Sequence, residues 1–108
     1  MNNYQMSLTK IAGKFGISRD KVLYFLDKEM GYVNGIREVT KKGKINGVGY
    51  KYYRDDNGEA KPYVVYDANV QDLIRKNRDH INNLDPDLVS KYAANDRIIG
   101  LVRAGVMI

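Results

Sequence analysis

The sequence predicts a small α+β domain with short helices at its start, a β-hairpin in its middle and further helices at its end. Apolar residues recur at helical spacing near both ends of the chain. Between residues 47 and 66, tyrosines and valines occupy two segments that flank a glycine turn, a pattern typical of paired strands. A chain of 108 residues with 44% hydrophobic content is long enough for one domain with its own core.

The first predicted helix runs from Leu8 to Phe15. Ser7 is its predicted N-cap, because a serine hydroxyl accepts a hydrogen bond from an unpaired amide of the first turn. The apolar positions follow the spacing i, i+3, i+4 and i+7, and small Ala12 would let a second helix approach closely. Gly16 suits the left-handed residue that ends many helices.

The second predicted helix begins after Ser18, another N-cap, and ends near Gly31. Its apolar face carries Val22, Phe25, Leu26 and Met30. Off that face lie four candidate contact residues: Arg19, Lys21, Tyr24 and Lys28. Ser18, at the start of the helix, is a further candidate DNA contact. A short helix, a glycine turn and a capped second helix are typical of helix-turn-helix units, whose second helix enters the major groove of DNA. The alternative is an amphipathic helix with solvated lysines.

The positive charge of the chain is concentrated in its first half. Residues 1–54 hold eleven Lys or Arg and four Asp or Glu, a net charge of +7. Residues 55–108 hold seven and nine, a net charge of −2. This asymmetry favours a half that binds a polyanion, joined to a nearly neutral half. The alternative is that the total charge of +5 serves solubility alone.

Three Asn-Gly pairs, at residues 34–35, 46–47 and 57–58, predict turns. Asn-Gly readily adopts the two positive φ angles of a type I′ hairpin turn. After the first pair we expect a strand over residues 36–39 and then a basic loop whose candidate phosphate contacts are Lys41, Lys42 and Lys44. Residues 1–6 are expected to form a loose polar lead-in.

Residues 47–66 are predicted to form a β-hairpin, here called the wing, with Lys51 and Arg54 as candidate phosphate contacts. Pro62 cannot donate to a neighbouring strand, so the second strand should be a sheet edge at that point. The tyrosines at positions 50, 52, 53, 63 and 66 have two interpretations. They pack across the strands and against helices, or they stack on unpaired bases.

The last third of the chain is predicted to be helical. Asp67 should cap a helix with an apolar stripe from Val70 to Leu84, broken near residues 82–83, and Asp85-Pro86 should start another. In this last helix Leu88, Val89 and Tyr92 are the expected apolar positions, and residues 95–96 are the expected interruption. The apolar tail, residues 98–108, folds back onto the core or joins a second copy, and we expect a two-fold dimer.

The composition offers little material for catalysis or for a cofactor. The chain has no cysteine and one histidine, His80, which we expect on a helix surface. Asp55, Asp56 and Glu59 lack the ligand spacing of a calcium loop and suit a solvated hairpin tip. No secretion signal begins the chain and no apolar stretch is long enough for a bilayer. We therefore expect a cytoplasmic protein that is not an enzyme, needs no cofactor and contacts no membrane.

Two stretches carry a resemblance to a known family. The run SLTKIAGKFGISRDKVLYFLDK at residues 7–28 resembles the opening of MerR-type winged helix-turn-helix regulators, and GYKYY at residues 49–53 resembles their GYRYY run. The order of elements is also similar to phage antirepressor C-terminal domains and small phage excisionases. The likeness covers about residues 6–78, and it implies DNA-binding roles for Arg19, Lys21, Tyr24, Lys51 and Arg54.

Two departures limit what the resemblance implies. The insert between Met30 and Gly47 is longer than expected for MerR proteins. No long coiled-coil helix follows and no cysteine-based effector site exists, so no sensing role is implied.

The sequence thus predicts a winged helix-turn-helix domain over residues 1–84 and a C-terminal helical extension over residues 85–108. The expected function is sequence-specific binding of double-stranded DNA by a small phage or mobile-element regulator or excisionase-type factor. The alternative is a small phage protein that inhibits or recruits a host protein, with the tyrosines as interface anchors.

Overall fold

The computed structural model describes the backbone of residues 5–103 and the side chains of residues 5–96. Over this range the chain forms six helices: α1 Leu8–Phe15, α2 Arg19–Tyr24, α3 Lys41–Ile45, α4 Ala68–Lys76, α5 Arg78–Asn82 and α6 Pro86–Arg103. It also forms five strands: β1 Met6–Ser7, β2 Val33–Asn34, β3 Glu38–Val39, β4 Val48–Arg54 and β5 Ala60–Tyr66. The predicted α+β class is confirmed.

The main sheet is antiparallel, with the strand order β1-β5-β4. The long β4–β5 hairpin pairs from Val48 opposite Tyr66 to Arg54 opposite Ala60, as predicted for residues 47–66. Strand β1 pairs with β5 only at Val65 and Tyr66, so the outer edge of β5 is uncovered at Pro62, where the sequence predicts an edge. Strands β2 and β3 form a separate small hairpin.

Strand β1 corrects the prediction for the start of the chain. The sequence predicts a loose lead-in that includes Met6, but Met6 pairs with Tyr66, and Ser7 pairs with Val65. A two-residue strand leaves no alternating pattern to detect, and its partner lies far away along the chain. Residues 1–4 of the predicted lead-in lie outside the described residues.

The predicted helix caps are confirmed at both N-terminal helices. The Ser7 hydroxyl accepts from the Lys10 amide of α1, and the Ser18 hydroxyl accepts from the Lys21 amide of α2 at 3.2 Å. Gly16 ends α1 with a φ of 66°, a left-handed conformation that glycine adopts without strain. Helix α2 then continues as one π-helical turn, Phe25–Glu29, which the sequence did not predict.

The turn type predicted for the three Asn-Gly pairs is wrong. Every glycine of the three pairs has a positive φ, but no non-glycine residue in the described chain does, so none of the pairs forms a type I′ turn. At the hairpin tip the Gly58 amide donates to the Asp55 carbonyl and the Asp55 amide donates to the Glu59 carbonyl. This is a three-residue loop with Gly58 in the left-handed position.

The predicted basic loop is a helix instead. Residues 41–45 form α3, capped by the Thr40 hydroxyl, which accepts from the Gly43 amide at 3.0 Å. The same hydroxyl donates to the Gly31 carbonyl at 2.6 Å, so it joins the end of α2 to the start of α3. The strand expected over residues 36–39 is shortened to Glu38–Val39, because residues 35–37 form the loop of the β2–β3 hairpin.

The C-terminal helices begin where predicted, but the positions of the breaks are only partly as predicted. The Asp67 carboxylate accepts from the amides of Asn69 and Val70, and the Asp85 carboxylate accepts from the Asp87 amide. A break at Asn77 separates α4 from α5, in addition to the predicted one near residues 82–83. The interruption expected at residues 95–96 is absent, because α6 runs through both residues. Leu88 is 52% exposed and is not a core position.

One core joins the N-terminal helices, the sheet and α4 to α6. Its fully buried side chains include Ile11 of α1, Val22 of α2, Tyr66 of β5, Ile74 of α4 and Ile81 of α5. Val89 and Ala93 of α6 are also buried, and α6 packs against α2. Within the described range, therefore, the start of the predicted extension packs on the preceding domain. The side chains of the apolar tail lie outside the described residues.

Candidate nucleic-acid interface

A groove of about 660 Å³ lies between the N-terminal ends of α1 and α2, the β2–β3 loop and the outer edge of β5. We call it the basic groove. Three cationic residues, Arg19, Arg37 and Lys61, line it, and the described residues that line it include no Asp or Glu. Two exposed tyrosines, Tyr53 and Tyr63, border it from the hairpin. The groove therefore presents three cations and two aromatic rings on one surface.

Arg19 is the predicted contact residue that lines this groove. It is the first residue of α2, follows the capping residue Ser18, and both are exposed. An exposed guanidinium at a helix N-terminus, where the helix dipole also favours negative charge, is well placed for a phosphate or a guanine edge.

The other predicted contacts on α2 face the C-terminal helices. The Lys21 ammonium donates to the Asn82 carbonyl of α5 at 2.7 Å. The rings of Tyr24 and Tyr92 pack edge to face, with centroids 5.6 Å apart. The Lys28 ammonium lies 5.7 Å from the centre of the Tyr92 ring, although Lys28 itself is exposed. The face that carries residues 21, 24 and 28 is thus in contact with α5 and α6.

A carboxylate secures this contact between α2 and α6. One oxygen of Asp27 accepts from the Tyr92 hydroxyl at 2.6 Å and from the Gly35 amide at 2.9 Å. Burial, the hydrogen bond to Asp27 and the nearby carboxylates of Asp27 and Asp96 raise the pKa of Tyr92. The Tyr92 hydroxyl therefore stays protonated and continues to donate well above neutral pH.

The three lysines of the predicted basic loop lie on α3, and all three are exposed. None of Lys41, Lys42 and Lys44 lines the basic groove. The Lys42 ammonium lies 6.0 Å from the centre of the Tyr32 ring, a cation–π distance. These lysines form a second basic surface, and the structure does not bring them into the groove with Arg19.

The two predicted wing contacts lie on opposite faces of the hairpin. The strand register puts Lys51 opposite Tyr63 and puts Tyr53 opposite Lys61, so these four residues share one face. Arg54 shares the other face with Tyr52 and donates to the Gly58 carbonyl at 2.8 Å. We call the surface of Lys51, Tyr53, Lys61 and Tyr63 the tyrosine–lysine face.

Only some of the five hairpin tyrosines pack within the protein, as one of the two interpretations predicts. Tyr66 is fully buried, and burial raises the pKa of its hydroxyl. Tyr50 is 39% exposed, and its hydroxyl accepts from the Val39 amide at 2.9 Å. Tyr52 and Tyr53 are 68% and 53% exposed, so most of each ring is accessible to a ligand.

Sequence reasoning missed Arg37 and Lys61, two of the three cations in the groove. Lys61 could have been found by extending the strand alternation across the Asn57-Gly58 turn, because the register then places it opposite Tyr53. Its ammonium lies 3.4 Å from a Glu59 carboxylate oxygen, an exposed pair that is worth little in water. Arg37 had no comparable signal, since it lies in a loop whose position depends on tertiary packing.

Other site types find no support among the described residues. No group of three or more His, Asp or Glu side chains there could hold a metal ion. His80 is exposed on α5, as predicted, and its Nε2 lies 2.6 Å from a Glu29 carboxylate oxygen. No described helix is both long enough and apolar enough to cross a membrane.

Comparison of the chain with protein-family models, with curated proteins and with solved structures gives no match.

Proposed function

We propose that this chain is a winged helix-turn-helix protein that binds double-stranded DNA, as a small regulator or excisionase-type factor of a phage or mobile element. Helix α2 would be the reading helix and the β4–β5 hairpin the wing. The observation that carries the proposal is the basic groove, where Arg19 at the exposed start of α2 and Lys61 of the hairpin line one surface whose described lining residues include no Asp or Glu. The resemblance to MerR-type regulators over residues 6–78 supports the same assignment.

In this function the DNA-contacting surface of α2 would be limited to its N-terminal end. Lys21 and Tyr24 are half-buried against α5 and α6, so they would position the helix instead of touching bases. Arg19 is exposed and would make the base or phosphate contact. Arg37, Lys51 and Lys61 would bind phosphates beside it, a role that orients a protein on DNA without reading its sequence.

We expect Arg19→Ala to weaken specific duplex binding by about 1–3 kcal/mol, because a good arginine–guanine contact discriminates by that amount. If Arg19 contacts a phosphate instead, the slope of log K against log salt should fall by about 0.9 and all duplexes should weaken alike. The measurement is fluorescence anisotropy with duplexes recovered from a random-sequence selection, repeated over a series of salt concentrations.

Arg75→Ala is the matched control, since it also removes one arginine charge. Arg75 is exposed on α4 and pairs with Asp72, and it does not line the groove. Equal losses of duplex affinity in the two variants would show that binding depends on net charge alone, and would contradict a specific interface.

Lys21→Ala should lower the free energy of unfolding, because it removes the hydrogen bond to Asn82, and should leave the salt slope of duplex binding unchanged.

A second candidate function is recognition of a host protein through the hairpin. It is favoured by the exposed aromatic rings on both faces of that hairpin, since tyrosine is enriched among the residues that dominate protein interfaces. The absence of any duplex binding at low salt, where phosphate contacts are strongest, would favour this candidate over DNA.

A further inference from the structure

We infer that the tyrosine–lysine face of the hairpin, together with the basic groove, binds single-stranded nucleic acid by stacking unpaired bases on Tyr53 and Tyr63. This goes beyond the proposed duplex binding, which uses the start of α2 and needs no exposed ring. The two activities share the groove cations and differ in the tyrosines.

The arrangement of side chains on this face suits a strand with unpaired bases. Two lysines and two tyrosines alternate, with Lys51 opposite Tyr63 and Tyr53 opposite Lys61. Neighbours along one strand on the same face are about 7 Å apart. A nucleotide can therefore place its base on a ring while its phosphate meets the adjacent ammonium, the combination used by single-strand binding surfaces.

The rings are accessible instead of being packed against the core. Tyr53 is 53% exposed and Tyr63 is 37% exposed, and their planes are inclined by 58° with centroids 6.0 Å apart. They do not stack face to face on each other, so a base can cover either one. A duplex hides its base faces within its own stack, so stacking on these exposed rings fits unpaired bases and not an intact duplex.

Charge complementarity identifies the occupant as an anion. Arg19 and Arg37 are exposed in the adjoining groove, and no acidic side chain is among the described residues that line it. Two acidic side chains lie beside the Lys61 ammonium at the hairpin tip, Glu59 at 3.4 Å and Asp55 at 4.0 Å. Glu59→Gln leaves Lys61 with one acidic neighbour fewer and should therefore tighten binding of a single strand.

The test uses the full chain and a fluorescent oligothymidylate of about 12 nucleotides, within the range of known single-strand sites. Tyr53→Leu should weaken binding of this probe by about 5- to 150-fold, the range that corresponds to one lost stacking contact. Tyr53→Phe keeps the ring and should bind like the wild type. Tyr52→Leu is the matched control, because Tyr52 is the adjacent residue, is 68% exposed and faces the other side of the strand.

Salt dependence separates stacking from charge. Tyr53→Leu should lower the affinity without changing the slope against salt, whereas Arg37→Ala should lower that slope by about 0.7. Tyr63→Leu gives an independent readout on the other strand, and circular dichroism verifies the fold of each variant.

The outcomes distinguish this inference from the proposed duplex binding, which is measured on the same samples. Duplex binding without oligothymidylate binding, or equal losses in Tyr52→Leu and Tyr53→Leu, would overturn the inference alone. Oligothymidylate binding that depends on Tyr53, without duplex binding, would support the inference and overturn the proposed function. Failure to bind either probe would overturn both.

Discussion

Replacing Gly43 with alanine is expected to lower the free energy of unfolding by about 1–3 kcal/mol, the usual effect of overpacking a tight site. A Cβ atom at Gly43 would lie 2.9 Å from the carbonyl carbon of Tyr32 and closer still to the carbonyl oxygen. That oxygen accepts from the Thr40 amide at 3.1 Å, so the backbone cannot move away without losing this hydrogen bond. Urea denaturation followed by far-ultraviolet circular dichroism measures the change.

Gly13→Ala is the matched control and should have the opposite sign. Gly13 also lies inside a helix, but a Cβ there would meet no atom within 4 Å. Alanine is favoured over glycine in a helix interior by about 0.5–1 kcal/mol, so this variant should be more stable than the wild type. Stabilisation by both substitutions would contradict the close approach of α3 to Tyr32.

Local signals in the sequence predicted the parts of the fold that local hydrogen bonds determine. Ser7, Ser18 and Asp67 cap the helices that follow them, with each side chain accepting from an amide two or three residues away. Gly16 ends α1 because a left-handed residue is needed there. These interactions span a few residues of chain, so a short stretch of sequence contains all their participants.

Elements that depend on distant partners were not predictable in the same way. Helix α3 is short, contains a glycine and has no apolar periodicity, and it forms where the Thr40 side chain joins it to Gly31. Strand β1 depends on the β5 residues Val65 and Tyr66 for its hydrogen bonds. Neither the periodicity nor the turn residues of these segments encode such a partner.

Helix α2 of the candidate interface likewise has features that local sequence predicts and features that depend on distant residues. The spacing of apolar residues separated the buried face of α2 from Arg19, Lys21, Tyr24 and Lys28. It could not show that α5 and α6 cover part of the remaining surface, because Asn82 and Tyr92 lie more than sixty residues further along the chain. The sequence therefore overestimated the exposed basic surface of α2, and Arg19 is the residue of this set that lines the groove.

The contact between α2 and α6 also helps to fix the position of α2 relative to the basic groove. Asp27 joins three elements, because it accepts from Gly35 in the β2–β3 loop and from Tyr92 in α6. The same loop carries Arg37 into the basic groove. We therefore expect substitutions at Tyr92 to act on stability first and on ligand binding only through the position of α2 and this loop.

Tyr92→Phe is expected to lower the free energy of unfolding by about 1–3 kcal/mol near neutral pH, because it removes a hydrogen bond to a charged group and leaves the Asp27 carboxylate with one donor fewer. The ring and its contact with Tyr24 are kept. Tyr63→Phe is the control, since it also removes one tyrosine hydroxyl but at a residue that is 37% exposed to water. Its unfolding midpoint in urea should match that of the wild type.

The effect of Tyr92→Phe should disappear in alkaline solution. The folded state raises the pKa of Tyr92 above the ordinary value of about 10, so the stabilisation is fully present below that pH. Above it the unfolded chain loses the Tyr92 proton while the folded chain keeps it, and the wild type loses about 1.4 kcal/mol per pH unit from this group. Phenylalanine has no such proton, and Tyr66, whose pKa is also raised, contributes equally to both proteins. The difference between wild type and Tyr92→Phe should therefore close within about two pH units above 10. A difference that stays constant from neutral pH to about pH 11 would contradict a Tyr92 pKa that burial and Asp27 raise in the folded state.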